Sequence, residues 1–263
     1  MTATPPDVDR VLSVAREAAT AGGNVALSAF RTPLSITPKA SKMDPVTQAD
    51  VDAQNRVVEV IRDSFPDHTI VGEEGDQLKE IPDTGPAWVI DPIDGTNNFT
   101  HGNRVWATCI AYVEDGEPQA AITRLPALGD EYVAGDTTLR DNEPVTVSDR
   151  DDPELCTVSL TFGLQPQHRP LFAEVSRNLL EAFGDLRRFG TGQVSLAMVA
   201  AGELDGAVSA VRLSPWDTVA GVHLVRQAGG TVTDIDGNPW RWDSEGVVAS
   251  NGKVHDTLLS IIP

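Results

Sequence analysis

Apolar positions recur at helical spacing from Asp7 to Ser28, at Val8, Val11, Leu12, Ala15, Ala18 and Ala19, with Pro6 and Asp7 as start signals. The pattern predicts an amphipathic helix. It returns from Thr47 to Ser64 through Val51, Val57, Val58 and Ile61 and stops before Pro66, predicting a second helix. Short apolar runs parted by turns follow: T-I-V, A-W-V-I, W-A-T-C-I-A-Y-V, A-A-I-T, E-Y-V-A and V-T-V, the last at Val145–Val147. Their length and β-branched content predict strands of one mostly antiparallel sheet.

The polar stretch S-D-R-D-D-P at Ser148–Pro153 marks a boundary, which gives an N-terminal part at 1–148 and a C-terminal part at 149–263. Beyond it strands alternate with helices, an α/β rhythm. The run C-T-V-S-L-T-F, a helix over 171–183, L-R-R-F, a helix over 194–201 and G-A-V-S-A-V come in turn. A last helix carries full punctuation, with Ser214 as N-cap, Pro215 at its first position and Gly229-Gly230 at its end, which puts Asp217 in the first turn.

At 263 residues the chain is long enough for a sizeable core, burying about 75% of its unfolded surface. A net charge of −19 excludes nucleic acid and anionic membrane surfaces as natural partners and favours small ligands and cations. The charge is dispersed, from 25 Asp and 14 Glu against 16 Arg and 4 Lys. We hypothesise that such a surface suits concentrated salt, where self-repulsion is screened. A melting temperature that fails to rise from dilute to molar salt would remove that idea. Cys109 and Cys156 stand alone in apolar runs and read as buried small hydrophobes. With no basic-then-apolar leader and no long apolar window, the expected location is cytoplasmic.

The candidate chemistry lies in W-V-I-D-P-I-D-G-T-N-N-F-T-H. Pro92 cannot donate a ladder hydrogen bond, so the strand should break and turn there, bringing Asp91 and Asp94 around one point. Two such carboxylates stay ionised together only around a cation, and all-oxygen ligands favour magnesium or manganese. Gly95-Thr96-Asn97-Asn98 predicts a short helix start whose N–H groups take an anion. Two more acids fit: Glu73 in G-E-E, after the T-I-V strand, and Asp217. His101 and His223 read as capping or packed histidines, Asn98-Phe99-Thr100 as an unmodified acceptor motif, and Asp236-Gly237 as a hairpin turn.

In their order and intervals, G-E-E, W-V-I-D-P-I-D-G-T-N-N-F-T-H-G and W-D-T-V-A-G-V-H-L-V-R-Q-A-G-G resemble the signatures of the inositol monophosphatase family. That family belongs with fructose-1,6-bisphosphatases among magnesium-dependent, lithium-sensitive phosphatases, and the resemblance runs from about Val8 to the C-terminus. It implies a layered αβαβα sandwich, an α/β fold of the sugar-phosphatase type, and a homodimer. It implies Glu73, Asp91, Asp94, Asp217 and the Ile93 carbonyl as metal ligands, for two or three Mg2+ per site with Mn2+ as a substitute. Gly95 and Thr96 would bind phosphate. The Thr96 hydroxyl, with Glu73 and supported by Asp50, would position the attacking water, and Lys42 corresponds to a lysine near the metals. No covalent enzyme intermediate is implied.

Asp94, Gly190, Thr191, Gln193 and Ser209 are the expected substrate contacts, but here the chain departs from the pattern. Many members carry Gly-Ser-Ala-Ala where this chain has Gly190-Thr191-Gly192-Gln193, and a hydroxyl-binding glutamate where it has Ser209. Inositol monophosphate is the leading small phosphorylated polyol or sugar. Fructose 1,6-bisphosphate, histidinol phosphate and 3′-phosphoadenosine nucleotides are alternatives. Phosphatases with an aspartyl nucleophile use D-x-D-G-T, with acids two apart rather than three, which leaves Glu73 and Asp217 unexplained. A non-enzymatic metal-binding regulator is the remaining class.

Overall fold

The computed structural model describes residues 7–33, 36–38, 45–161 and 165–263. Lys42 and Phe162 lie outside the described residues. Helix α1 (Val8–Ala29) begins at Asp7, whose side chain accepts from Asp9 N–H at 3.2 Å. Strands β1 (Ile36–Pro38) and β2 (Pro45–Thr47) pair antiparallel and lead into α2 (Gln48–Ser64). A reciprocal capping box starts α2: Thr47 and Asp50 satisfy each other's end of the first turn.

Seven strands then form one sheet in sequence order: β3 (Thr69–Gly72), β4 (Pro86–Asp94), β5 (Ala107–Glu114), β6 (Glu117–Leu125), β7 (Asp130–Ala134), β8 (Thr138–Arg140) and β9 (Glu143–Pro144). Only β3 and β4 run parallel, so the expected mostly antiparallel sheet is present. The one misplaced strand is V-T-V. Asp141 and Asn142, with φ of 52° and 69°, turn β8 back into β9 before Val145 is reached, and Val147 N–H goes to the Ala228 carbonyl at 3.1 Å. The short helix α3 (Thr96–Thr100) lies between β4 and β5.

The rest of the chain alternates β10 (Thr157–Leu160), α4 (Arg169–Ala182), β11 (Asp185–Arg187), α5 (Gly192–Ala200), β12 (Gly206–Ser209), α6 (Val219–Gln227), β13 (Thr231–Thr233), β14 (Val247–Ser250) and α7 (His255–Ser260). Its strands make a second, mixed sheet in the order β11-β10-β12-β14-β13. A tight turn at Asp236-Gly237 follows β13, with Asp234 N–H bonded to the Asn238 carbonyl at 2.9 Å.

Three apolar clusters show how these elements stack. α1 and α2 pack on one face of the large sheet through Val11, Ala18, Val57, Ile61, Trp88 and Ile110. The opposite face, with Val89, Cys109 and Ala121, meets α5 and α6, which also bury Ala207 and Ala249 of the small sheet. α4 and α7 cover the small sheet's far face through Val175, Leu179, Val208 and Leu258. Helices, sheet, helices, sheet, helices: the α/β fold is the five-layered sandwich expected, and the acidic motif lies at the edge of the central helix layer.

Candidate active site

β4 is buried from Ala87 onward and carries its carboxylates past an irregularity instead of ending at Pro92. Its pairing with β5 shifts register, from Asp91 opposite Cys109 to Asp94 opposite Ala107, so three steps on β4 face two on β5. Regular pleating sends residues three apart to opposite faces; the bulge left where Pro92 cannot pair cancels that alternation. The expected break is thus a bulge, and Asp91 and Asp94 end on the same side. Asp217 arrives from the other part of the chain, on a single 3-10 turn, Pro215–Asp217, capped reciprocally with Ser214. This turn is separate from α6, contrary to one continuous helix from Ser214. Thr218 adopts φ −136° and its hydroxyl bonds back toward the Ser214 and Pro215 carbonyls, ending the turn. The far end of α6 is as read: Gly229 at φ 86° and Gly230 donate to the Arg226 and Val225 carbonyls in a left-handed cap.

Carboxylate oxygens of Asp91, Asp94 and Asp217 lie within 4.8 Å of one another, and the first two residues are buried. Burial pushes the Asp94 carboxyl up to about 6 from 3.8, against the pull of hydrogen bonds from Thr191 and from the N–H groups of Gln193, Gly192 and Val194. Three carboxylates converging this closely, all oxygen donors with no His or Cys among them, fit a hard divalent cation. Glu73 is outside this trio. It follows β3, half-buried, and its N–H reaches the Ile90 carbonyl at 3.3 Å, one residue before Asp91.

Gly95 turns the chain with φ 92°, and a Cβ there would stand 3.3 Å from Thr191 and 3.4 Å from the Val105 carbonyl. α3 starts directly after it, so its first N–H groups lack intrahelical acceptors beside the carboxylates. The Thr96 Oγ1 sits 3.0 Å from both Asp50 Oδ1 and the Ile93 carbonyl. Asp50 is wholly buried, and its other oxygen accepts from Thr47 N–H and Oγ1 at 2.8 and 2.6 Å. The α2 capping box therefore fixes the carboxylate that holds Thr96.

Two expected substrate contacts turn inward. The Gln193 amide is committed to the Trp216 carbonyl and the Gly221 N–H, and the buried Ser209 hydroxyl donates to the Val211 carbonyl at 2.8 Å. Thr191 donates to Asp94 and caps α5 by accepting from Val194 N–H at 3.2 Å. Gly190, at φ 80°, leads into this cap with Asn98 across from it. The Asn98 amide donates to the Val105 and Phe189 carbonyls, both at 2.7 Å. His101 bonds to the Asn97 carbonyl at 2.7 Å. His223 is buried in α6, as a packed histidine should be. Cys109, opposite Asp91, has its thiol held protonated by burial and by Asp94 and Asp91.

Two braces were missed. Gln54 of α2 grips the G-E-E loop, donating to the Glu74 carbonyl at 2.7 Å and accepting its N–H at 2.8 Å; a polar residue beside Ala53 on the apolar face was the available signal. Lys79 donates to the Gly72 and Glu73 carbonyls at 2.8 and 3.0 Å and lies 5.5 Å over the Trp216 ring, and no local pattern marks it.

Residues 7–262 match the description of the inositol monophosphatase family. The chain belongs to that family. It is therefore a phosphatase of the phosphoric monoester class, and metal dependence goes with the family. A Thermotoga maritima protein named fructose-1,6-bisphosphatase/inositol-1-monophosphatase is 33% identical, with 86% of each chain covered. A Pasteurella multocida protein named Nus factor SuhB is also 33% identical, over 96% of this chain and 95% of its own. Among solved structures, the extragenic suppressor protein SuhB from Bartonella henselae superposes with TM-score 0.90 at 28% identity, covering 96% of this chain and 98% of that one. No described helix is long and apolar enough to cross a membrane.

Proposed function

We propose that this family member is a magnesium-dependent phosphomonoesterase of a small polyol or sugar phosphate, with inositol monophosphate the first substrate. The observation that carries the reading is the convergence of Asp91, Asp94 and Asp217 beside the Gly95-Thr96 turn. Glu73, the three aspartates and the Ile93 carbonyl would hold the cations, with Mn2+ able to replace Mg2+. When bound, magnesium supplies an acidified water and neutralises charge on the phosphoryl group.

The chain's own groups do the rest. N–H groups of Gly95 and Thr96 orient the phosphate oxygens. A Thr96 hydroxyl whose proton points at Asp50 Oδ1 presents its lone pairs to the attacking water, and that water with Glu73 sets the line of attack. Gly190, Thr191 and Asp94 border the leaving alcohol. The part up to residue 148 would provide the phosphate turn and most ligands, and the part from 149 would provide Asp217. Lithium sensitivity and a homodimer follow from the family resemblance, and a salt-adapted surface from the charge.

Fructose 1,6-bisphosphate is the second substrate to weigh. The Thermotoga relative is named for both activities, and Ser209 stands where many members place a hydroxyl-binding glutamate. The experiment is phosphate release from a panel of inositol, sugar and nucleotide phosphates with and without Mg2+ and Li+. We expect Mg2+-dependent, Li+-inhibited turnover, highest on inositol monophosphate or fructose 1,6-bisphosphate. Absence of turnover across the panel, in a folded Mg2+-binding protein, would move the chain to a regulatory role of the kind the name Nus factor suggests for the SuhB relatives.

A further inference from the structure

Gln193 touches both sources of the carboxylate cluster. Its backbone N–H donates to Asp94 Oδ2 at 2.9 Å. Its side-chain Nε2 donates to the Trp216 carbonyl at 2.5 Å, and its Oε1 accepts the Gly221 N–H at 2.6 Å. The residue is 1% exposed, so the amide exchanges these partners with no bulk water.

The Trp216 carbonyl belongs to the peptide unit that leads into Asp217. Fixing that plane fixes where the Asp217 side chain leaves the backbone. The turn that bears Asp217 is only three residues long, and one Asp217 oxygen already caps Ser214 N–H at 3.2 Å. Carboxylates this close repel one another until a cation arrives, so their spacing needs anchors in the backbone. Gln193 ties the Asp217 turn and the first turn of α6 together through its side chain and holds Asp94, on β4, through its backbone N–H.

Neighbouring glycines make room for it. A Cβ on Gly221 would stand 2.8 Å from Gln193 Oε1 and 2.5 Å from Leu196 Cβ; a Cβ on Gly192 would stand 3.1 Å from the Asp217 carbonyl.

We propose that Gln193 is a positioning residue that sets the spacing of the Asp94 and Asp217 carboxylates and thereby the cation affinity of the cluster. The proposal rests on reading that cluster as the magnesium site. Gln193→Met keeps length and burial and removes both amide bonds, while the backbone N–H to Asp94 remains.

The test titrates metal-free protein with MgCl2 alone by calorimetry for the wild type, Gln193→Met and Asp94→Asn, and measures the Mg2+ concentration for half-maximal phosphate release. Gln193→Met is expected to bind Mg2+ about tenfold more weakly and to raise the half-maximal Mg2+ by a similar factor, with substrate KM at saturating Mg2+ within twofold of wild type. Unchanged Mg2+ binding in a folded Gln193→Met that has lost only melting temperature would make the residue purely structural and overturn the proposal. Asp94→Asn separates the two layers. If it loses Mg2+ binding while Gln193→Met does not, the positioning role alone fails; if it binds like wild type, the cluster is not the magnesium site and both fail. Should Gln193→Met not fold, Gln193→Ala carries the same measurements, since it too keeps the N–H to Asp94.

Discussion

His223 shows what a buried titratable group costs outside the site. Burial lowers it from 6.5 to about 4, aided by Arg226 and opposed by Gly135, Gln119 and Asp136. The unfolded chain then binds a proton between about pH 6.5 and pH 4 that the folded chain refuses. Its contribution to stability is full above pH 6.5 and is lost as pH falls to about 4, on the order of 3 kcal/mol over the window. Urea unfolding of wild type and His223→Leu at pH 7.5 and 4.5 checks this: the wild type should lose more stability on acidification than the variant. Equal losses would remove His223 from the acid sensitivity. At the same scale, Asp91, Asp94, Thr96 and Asp217 were legible because their spacing beside glycine, proline and helix signals is chemically unusual. Gln193 was expected as a substrate contact, and its inward bonds were not legible. Its partners are backbone groups 23 and 28 residues away in sequence, which no local pattern encodes.

Elements were legible where one periodicity held. α1 and α2 fall within a residue of the expected limits because capping signals and the 3.6-residue repeat agree. The failures come where a turn overrides a run: Asp141-Asn142 folds the chain before Val145, Thr218 splits the Asp217 turn from α6, and Pro92 makes a bulge rather than an end. The contact between α1 and α2 depends on a close approach. A Cβ on Gly22 would lie 2.4 Å from Val57 Cγ2 and 3.1 Å from the Ala53 carbonyl. Gly22→Ala should therefore destabilise the protein by about 1–3 kcal/mol through overpacking, outweighing alanine's better helix propensity. Denaturant midpoints check the sign, and a more stable variant would mean that the helices part without strain.

On the scale of the whole molecule, the layered order explains how residues from 50 to 217 meet. The buried end of β4, the start of α3 and the Asp217 turn abut near the layer of α5 and α6, and the α2 cap on the other side of the large sheet reaches them through Asp50 and Thr96. The sequence rhythm pointed to two sheets and intervening helices, but which faces share a core is a tertiary fact with no periodic signature. The surface carries a net charge of −19, so repulsion opposes compaction at low ionic strength. Melting temperature should rise from dilute buffer to molar KCl as the Debye length shrinks from about 30 Å at 0.01 M to about 3 Å at 1 M. A flat or falling curve would show that the surface charge is already well balanced locally.

The central claim is that carboxylates from distant parts of the chain build one magnesium-dependent hydrolytic site. It is tested most directly by phosphate release from inositol monophosphate, with saturating Mg2+ or with EDTA, for wild type and a folded Asp217→Asn. The account predicts turnover by the wild type with Mg2+, none with EDTA, and at least a hundredfold loss in Asp217→Asn. Near-normal turnover by Asp217→Asn, or by the wild type in EDTA, would contradict it.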